Sequence, residues 1–256
     1  MNAIPLVRRS VAEFLGTGLL VTAVAGSGIM AARLSPGDVG LQLLENSTAT
    51  VFALATLILI FGPVSGAHFN PVVSLADWWL GRRGTGLPPR DLAGYIGAQV
   101  LGAISGAILA NAMFGVAQGP SHTDRTRPAL WLGEIVATGG LLLLIFSLVR
   151  TERAAIVAPA VGAYIGAAYW FTSSTSFANP AVTVGRAFTD TFAGIAPASV
   201  PGFVVAQIVG AAAGVALVLV LYPRPSAATT SASASATAET VPEAARHSGD
   251  TIGARP

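Results

Sequence analysis

Apolar residues fall in long blocks along this chain, and polar or charged positions are confined to the short gaps between them. About twenty apolar residues suffice to span a bilayer as helix. Six such windows lie at roughly 10–32, 48–65, 91–112, 129–149, 154–172 and 200–222. Two shorter apolar stretches, about 70–80 and 179–188, cannot cross, and each opens on Asn-Pro. Asn caps a helix and Pro suits its first turn, so Asn70-Pro71 and Asn179-Pro180 mark helix starts. A lone Asn-Pro is most often a surface turn. Two copies in matching settings are far more specific: Ser65-Gly66-Ala67-His68-Phe69-Asn70-Pro71-Val72 and Ser176-Phe177-Ala178-Asn179-Pro180-Ala181-Val182. The pattern predicts an all-α membrane protein with six transmembrane helices and two re-entrant half-helices.

The two halves repeat. Glu13 in Ala-Glu-Phe-Leu-Gly-Thr matches Glu134 in Gly-Glu-Ile-Val-Ala-Thr, and Asn70 matches Asn179 at an offset of 179 − 70 = 109. Ala98-Gln99-Val100-Leu101-Gly102-Ala103 matches Ala206-Gln207-Ile208-Val209-Gly210-Ala211, with 207 − 99 = 108. Three spans per half is odd, so the second half enters the membrane upside down, an inverted 3+3 repeat. The expected organisation is an N-terminus over 1–9, a first repeat over 10–112 and an external connecting loop over 113–128. A second repeat over 129–222 and a disordered cytoplasmic tail over 223–256, rich in Ser, Ala, Thr and Pro, complete it.

Composition agrees: 53% of the 256 residues are hydrophobic and 10% charged, against about 25% charged in soluble domains. The first span follows Arg8-Arg9 but contains Glu13 and lacks a small-residue cleavage site, so it is expected to be retained. The net charge of +2 is scattered between apolar blocks and sets topology rather than binding nucleic acid. With both termini inside, cytoplasmic segments hold Arg8, Arg9, Arg82, Arg83, Arg90, Arg150, Arg153 and Arg224, eight against the four external Arg33, Arg125, Arg127 and Arg186. That is the positive-inside arrangement. There is no Cys. Of the histidines, His122 falls in a loop and His247 in the tail, leaving His68 alone in the membrane. No metal, cofactor or catalytic constellation is expected, and the chain is not read as an enzyme.

Backbone that leaves helix geometry at membrane depth is tolerated only inside protein or beside a water-filled path. The stretches 65–70 and 173–179 therefore line such a path, with Asn70 and Asn179 as donors at its centre. The positive ends of two half-helices meeting there repel cations and accept the oxygen of a neutral solute. At these residues the chain resembles the aquaporin and aquaglyceroporin family of major intrinsic proteins, over about 8–222. The resemblance implies an aquaporin-like right-handed bundle and a homotetramer in the inner membrane with one pore per subunit. It makes Asn70, Pro71, Val72, Asn179, Pro180 and Ala181 the central motifs. It also makes Glu13 and Glu134 buttresses of the re-entrant loops. His68, two residues before Asn70, is read from its position as packing the first loop rather than as a pH gate.

The departures from the family concern its outer constriction. Arg usually follows the second Asn-Pro-Ala; here the position is Val182. Counting back from the motifs places the other three members at Thr50, Ala167 and Ser176, and Gly166 and Ala168 beside Ala167 are also small. No aromatic, His or Arg is expected in that ring, although Arg186 lies one helical turn beyond Val182. A wide ring predicts passage of water plus larger neutral solutes, glycerol or arsenous acid and related metalloid acids among them. Val72 stands where Ala is usual, which predicts slight repacking. Gly97, Gly102, Gly106, Gly210 and Gly214 read as close helix packing. An ion-coupled transporter also uses broken helices at the midplane. It needs a coupled ionisable site, and only the two bracing glutamates are available.

Overall fold

The structure, a computed structural model, describes residues 4–82 and 86–223. The segment expected as a tail lies outside the described residues apart from Pro223. The described chain is helical, with no strand: α1 (Leu6–Leu34), α2 (Val39–Ser65), α3 (Pro71–Gly81), α4 (Pro89–Phe114), α5 (Pro128–Arg150), α6 (Val157–Phe171), α7 (Pro180–Arg186) and α8 (Val200–Leu221). Short 3₁₀ turns, Ala154–Ile156 and Pro197–Ser199, lead into α6 and α8. Six helices are long and apolar enough to cross a membrane; α3 and α7 are not among them. Pro71, Pro89, Pro128 and Pro180 each sit in a first helical turn, where the missing N–H has no partner to lose. Asp38 caps α2 by accepting from the Leu41 N–H.

Burial is arranged opposite to that of a soluble protein. Val220, Phe52 and Leu59 stand exposed, whereas Glu13, Gln99, Glu134 and Gln207 are fully buried. A bilayer solvates the first set and hydrogen bonds must satisfy the second. Two helix pairs, α1 with α4 and α5 with α8, are held by matching seams. In one, a Cβ on Gly102 or Gly106 of α4 would fall on backbone at Phe14 or Gly18 of α1. In the other, a Cβ on Gly210 or Gly214 of α8 would fall on backbone at Ile135 or Gly139 of α5. The offsets are 210 − 102 = 108 on one side of the seam and 139 − 18 = 121 on the other. Only glycine allows such approach. Gly97 departs from that expectation: a Cβ there meets nothing within 4 Å, so it plays no part in the seam.

Candidate functional site

Each re-entrant loop is shaped by a buried carboxylate. Glu13 accepts from the His68 N–H (3.0 Å), the Phe69 N–H (2.7 Å), the Ser65 hydroxyl (2.6 Å) and the Gln99 amide (2.7 Å). Glu134 accepts from the Phe177 N–H (2.9 Å), the Ala178 N–H (2.8 Å) and the Gln207 amide (2.6 Å), with the Ser174 hydroxyl also bonded to it. Successive N–H groups converge on one anion only if backbone handedness alternates. Accordingly Ala67 and Phe69 have φ of 50° and 50°, and Ser176 and Ala178 have 50° and 48°. Left-handed non-glycine residues cost on the order of 1–3 kcal/mol each and persist because the surroundings over-determine them. With the N–H groups turned to the carboxylates, the opposite carbonyl edges of the loops are turned the other way.

The two half-helices meet N-terminus to N-terminus. Asn70 and Asn179 are their caps: Asn70 Oδ1 accepts from the Val72 N–H, and Asn179 Oδ1 from the Ala181 and Val182 N–H groups. Each Nδ2 then reaches across. Asn70 donates to the Ala178 carbonyl at 2.8 Å, and Asn179 donates to the Phe69 carbonyl at 2.7 Å. An amide carries two N–H bonds, so each asparagine retains one donor. Pro71, Val72 and Ala181 are buried at this contact, and Val72 joins the apolar core without displacing the crossed bonds.

Both asparagines line a cavity of about 490 Å³ that takes in both loops. Along α3 the lining positions are Asn70, Val73 and Asp77; along α7 they are Asn179, Val182 and Arg186. These are the same three positions at an offset of 109, and the i, i+3, i+7 spacing is one helix face. The rest of the wall is mainly apolar, with Leu20, Val24 and Leu54 on one side and Val161 and Ile165 on the other.

The ends differ. At one, His68 Nδ1 lies 3.0 Å from the Ser74 hydroxyl, and His68 Nε2 lies 4.0 Å from Asp77, which accepts from the Leu87 N–H at 2.7 Å. At the other, Phe177 occupies the place of His68, and the Arg186 guanidinium carbon lies 3.4 Å from its ring centroid. Arg186 Nε donates to the Ala193 carbonyl. The 115–127 loop covers this end. Ser121 N–H bonds the Ala187 carbonyl (2.9 Å), Arg125 Nε bonds the Gly194 carbonyl (2.9 Å), and the Arg125 guanidinium carbon lies 5.0 Å from the Phe177 ring centroid. Burial pushes the Arg125 pKa below its ordinary value.

Thr50, Ser176 and Val182 line the cavity at the Arg186 end, but Ala167 does not: it is exposed on the outer face of α6. The inward face of α6 carries Val161, Ile165 and Tyr169, spaced by four. Tyr169 therefore fills the place expected of Ala167, its hydroxyl 3.3 Å from that of Thr50. Tyr169 thus lines the cavity beside Thr50, and Arg186 lines it as well. The four-residue spacing through 161, 165 and 169 marks this inward face in the sequence. Arg186 is also not a loop charge: it is buried at 2% exposure. Among the described residues no group of His, Cys, Asp or Glu is placed to hold a metal.

Comparison with known proteins agrees with this geometry. The sequence profile described as Major intrinsic protein matches residues 1–176. The chain is 53% identical over 218 residues to Aquaglyceroporin AqpS of Rhizobium meliloti (strain 1021), covering 85% of this chain and 91% of that one. It is 32% identical over 223 residues to Aquaporin NIP1-1 of Zea mays, covering 83% and 74%. In fold it is similar to the X-ray structure of the aquaglyceroporin from Plasmodium falciparum, with a TM-score of 0.62 at 22% identity over 84% of this chain and 96% of that one. The chain belongs to the major intrinsic protein family, multi-pass membrane proteins that act as passive channels for water and small solutes and not as enzymes.

Proposed function

We propose that this channel passes neutral solutes larger than water, with glycerol and neutral metalloid acids such as arsenous acid as its substrate class. The observation that carries the reading is Val182 at the ring, a small apolar side chain bordered by Thr50, Ser176 and Tyr169. A mainly apolar wall with hydroxyl and amide groups at Thr50, Tyr169, Ser176, Asn70 and Asn179 suits a molecule with a carbon or arsenic body and several O–H groups. The name of the Rhizobium relative, an aquaglyceroporin, supports the polyol part of the class. Asn70 and Asn179 are the central donors, and the motifs around Pro71, Val72, Pro180 and Ala181 hold them in place. Glu13, Glu134 and His68 support the loops. The proposed form is a homotetramer in the inner membrane, its exposed apolar helix faces shared between lipid and neighbouring copies. Both termini lie inside, with Arg33, Arg125 and Arg127 left as the external charges once Arg186 is assigned to the pore. Under that orientation the Arg186 end opens outward.

Swelling of proteoliposomes with a panel of water, glycerol, urea and arsenous acid tests the reading. Glycerol and arsenous acid permeabilities within about tenfold of water are expected, and Tyr169→Ala raises both. Water permeability far above the other two refutes the wide-ring reading. Collapse of uptake by an uncoupler would instead support an ion-coupled carrier.

A further inference from the structure

Val182 and Arg186 are four residues apart on α7, and both line the cavity. Arg186 is 2% exposed, yet among the described residues no carboxylate lies within ion-pair distance of it. A buried guanidinium without a counter-ion is costly unless its donors stay solvated. Its position is nonetheless fixed from three sides. Nε donates to the Ala193 carbonyl, the Arg186 carbonyl accepts from the Ile195 N–H at 3.3 Å, and the guanidinium lies against the Phe177 ring. The terminal nitrogens donate to no other described residue, which leaves them to the cavity.

We infer that Arg186 is the charge barrier of this channel, set one helical turn outside the ring that fixes its width. The inference rests on the channel reading above and deepens it. A fixed cation in a narrow, low-dielectric wall raises the cost of any cation that enters, while its planar fork of donors receives the oxygens of a neutral solute. Moving that charge from position 182 to position 186 separates two jobs. Val182, Thr50 and Tyr169 set the bore, and Arg186 sets the sign. The short α7 makes such a charge useful: its seven residues align fewer peptide dipoles than the eleven of α3.

The test uses the full chain in proteoliposomes, reading potassium and proton leak with entrapped dyes beside glycerol swelling. Arg186→Gln should raise cation leak about tenfold, the order set by one fixed charge several ångströms from the path; glycerol swelling is read beside it only to show that the pore is open. Arg186→Lys should keep the barrier. A glycerol-conducting Arg186→Gln with cation leak at the parent level overturns the assignment. Val182→Arg on the parent background decides independently of how Arg186→Gln folds. If Arg186 is already the barrier, the added charge lowers glycerol permeability and leaves cation leak unchanged; a several-fold fall in cation leak overturns it. A parent that passes water but no glycerol sinks the polyol reading alone, because the cation comparisons are still read.

Discussion

Asn70, Val73 and Asp77 descend one face of α3 as Asn179, Val182 and Arg186 descend the matching face of α7. The first two pairs are alike and the third is opposite in charge. Near the midplane both halves meet the same demands: a helix cap, a partner loop 2.7–2.8 Å away, and a carboxylate gathering two N–H groups. Those demands leave little choice of residue. Toward the ends the constraint lapses, and each half meets different surroundings. Asp77 faces His68 and the Leu87 N–H, whereas Arg186 faces Phe177 and the Ala193 carbonyl. The duplicated frame is a shared scaffold, and the two mouths are where this chain individualises its pore.

Removing the braces is the most severe way to break that equivalence. Glu13→Ala leaves two loop N–H groups, the Ser65 hydroxyl and a glutamine amide without their acceptor, each orphaned buried donor costing about 1–3 kcal/mol. Glu134→Ala should match it to within about 1 kcal/mol, roughly one hydrogen bond. Thermal unfolding in detergent measures both, and a wider gap means the two halves are not equivalently braced. Next come the seams. Gly106→Ala and Gly214→Ala each push a methyl into backbone and should cost about 1–3 kcal/mol, while Gly97→Ala, which meets open space, should be neutral or slightly stabilising. Unequal losses at 106 and 214 would show that one seam can yield.

At the mouths the effects are smaller. Tyr169→Phe keeps the ring and loses the hydroxyl contact with Thr50, costing about 1 kcal/mol or less and changing glycerol permeability under twofold. Smallest is the loop pair. Asp190 accepts from the His122 N–H and ring at 2.9 Å each, which holds its carboxyl below the usual range. A depressed folded-state pKa adds stability above the ordinary carboxylate value, and that stability disappears as pH falls through the folded-state value. Asp190→Asn should therefore lower the melting temperature slightly at pH 7 and not at pH 3.

The frame was legible because its signals are local and doubled. Asn-Pro marks a cap wherever it lies, and Glu13/Glu134 and Gln99/Gln207 keep their offsets because they answer the same packing. Ala167 was misplaced because the two connections differ. Between α2 and α3 only residues 66–70 leave the helix, whereas α6 stops at Phe171 and the eight residues 172–179 do so before Pro180. Counting back in helical turns across the longer connection loses register. Arg186 was readable as one turn past Val182, but its burial depends on Ala193 and Phe177, brought together by loops that carry no periodic signal.

The reciprocal links between Asn70 and Asn179 also act as a clasp. Neither half-helix can withdraw without orphaning two amides and two carbonyls deep in the lipid. The midpoint is therefore a rigid aperture, and any gate has to be hung at the doorways, where Asp77 holds Leu87 and Arg186 leans on Phe177.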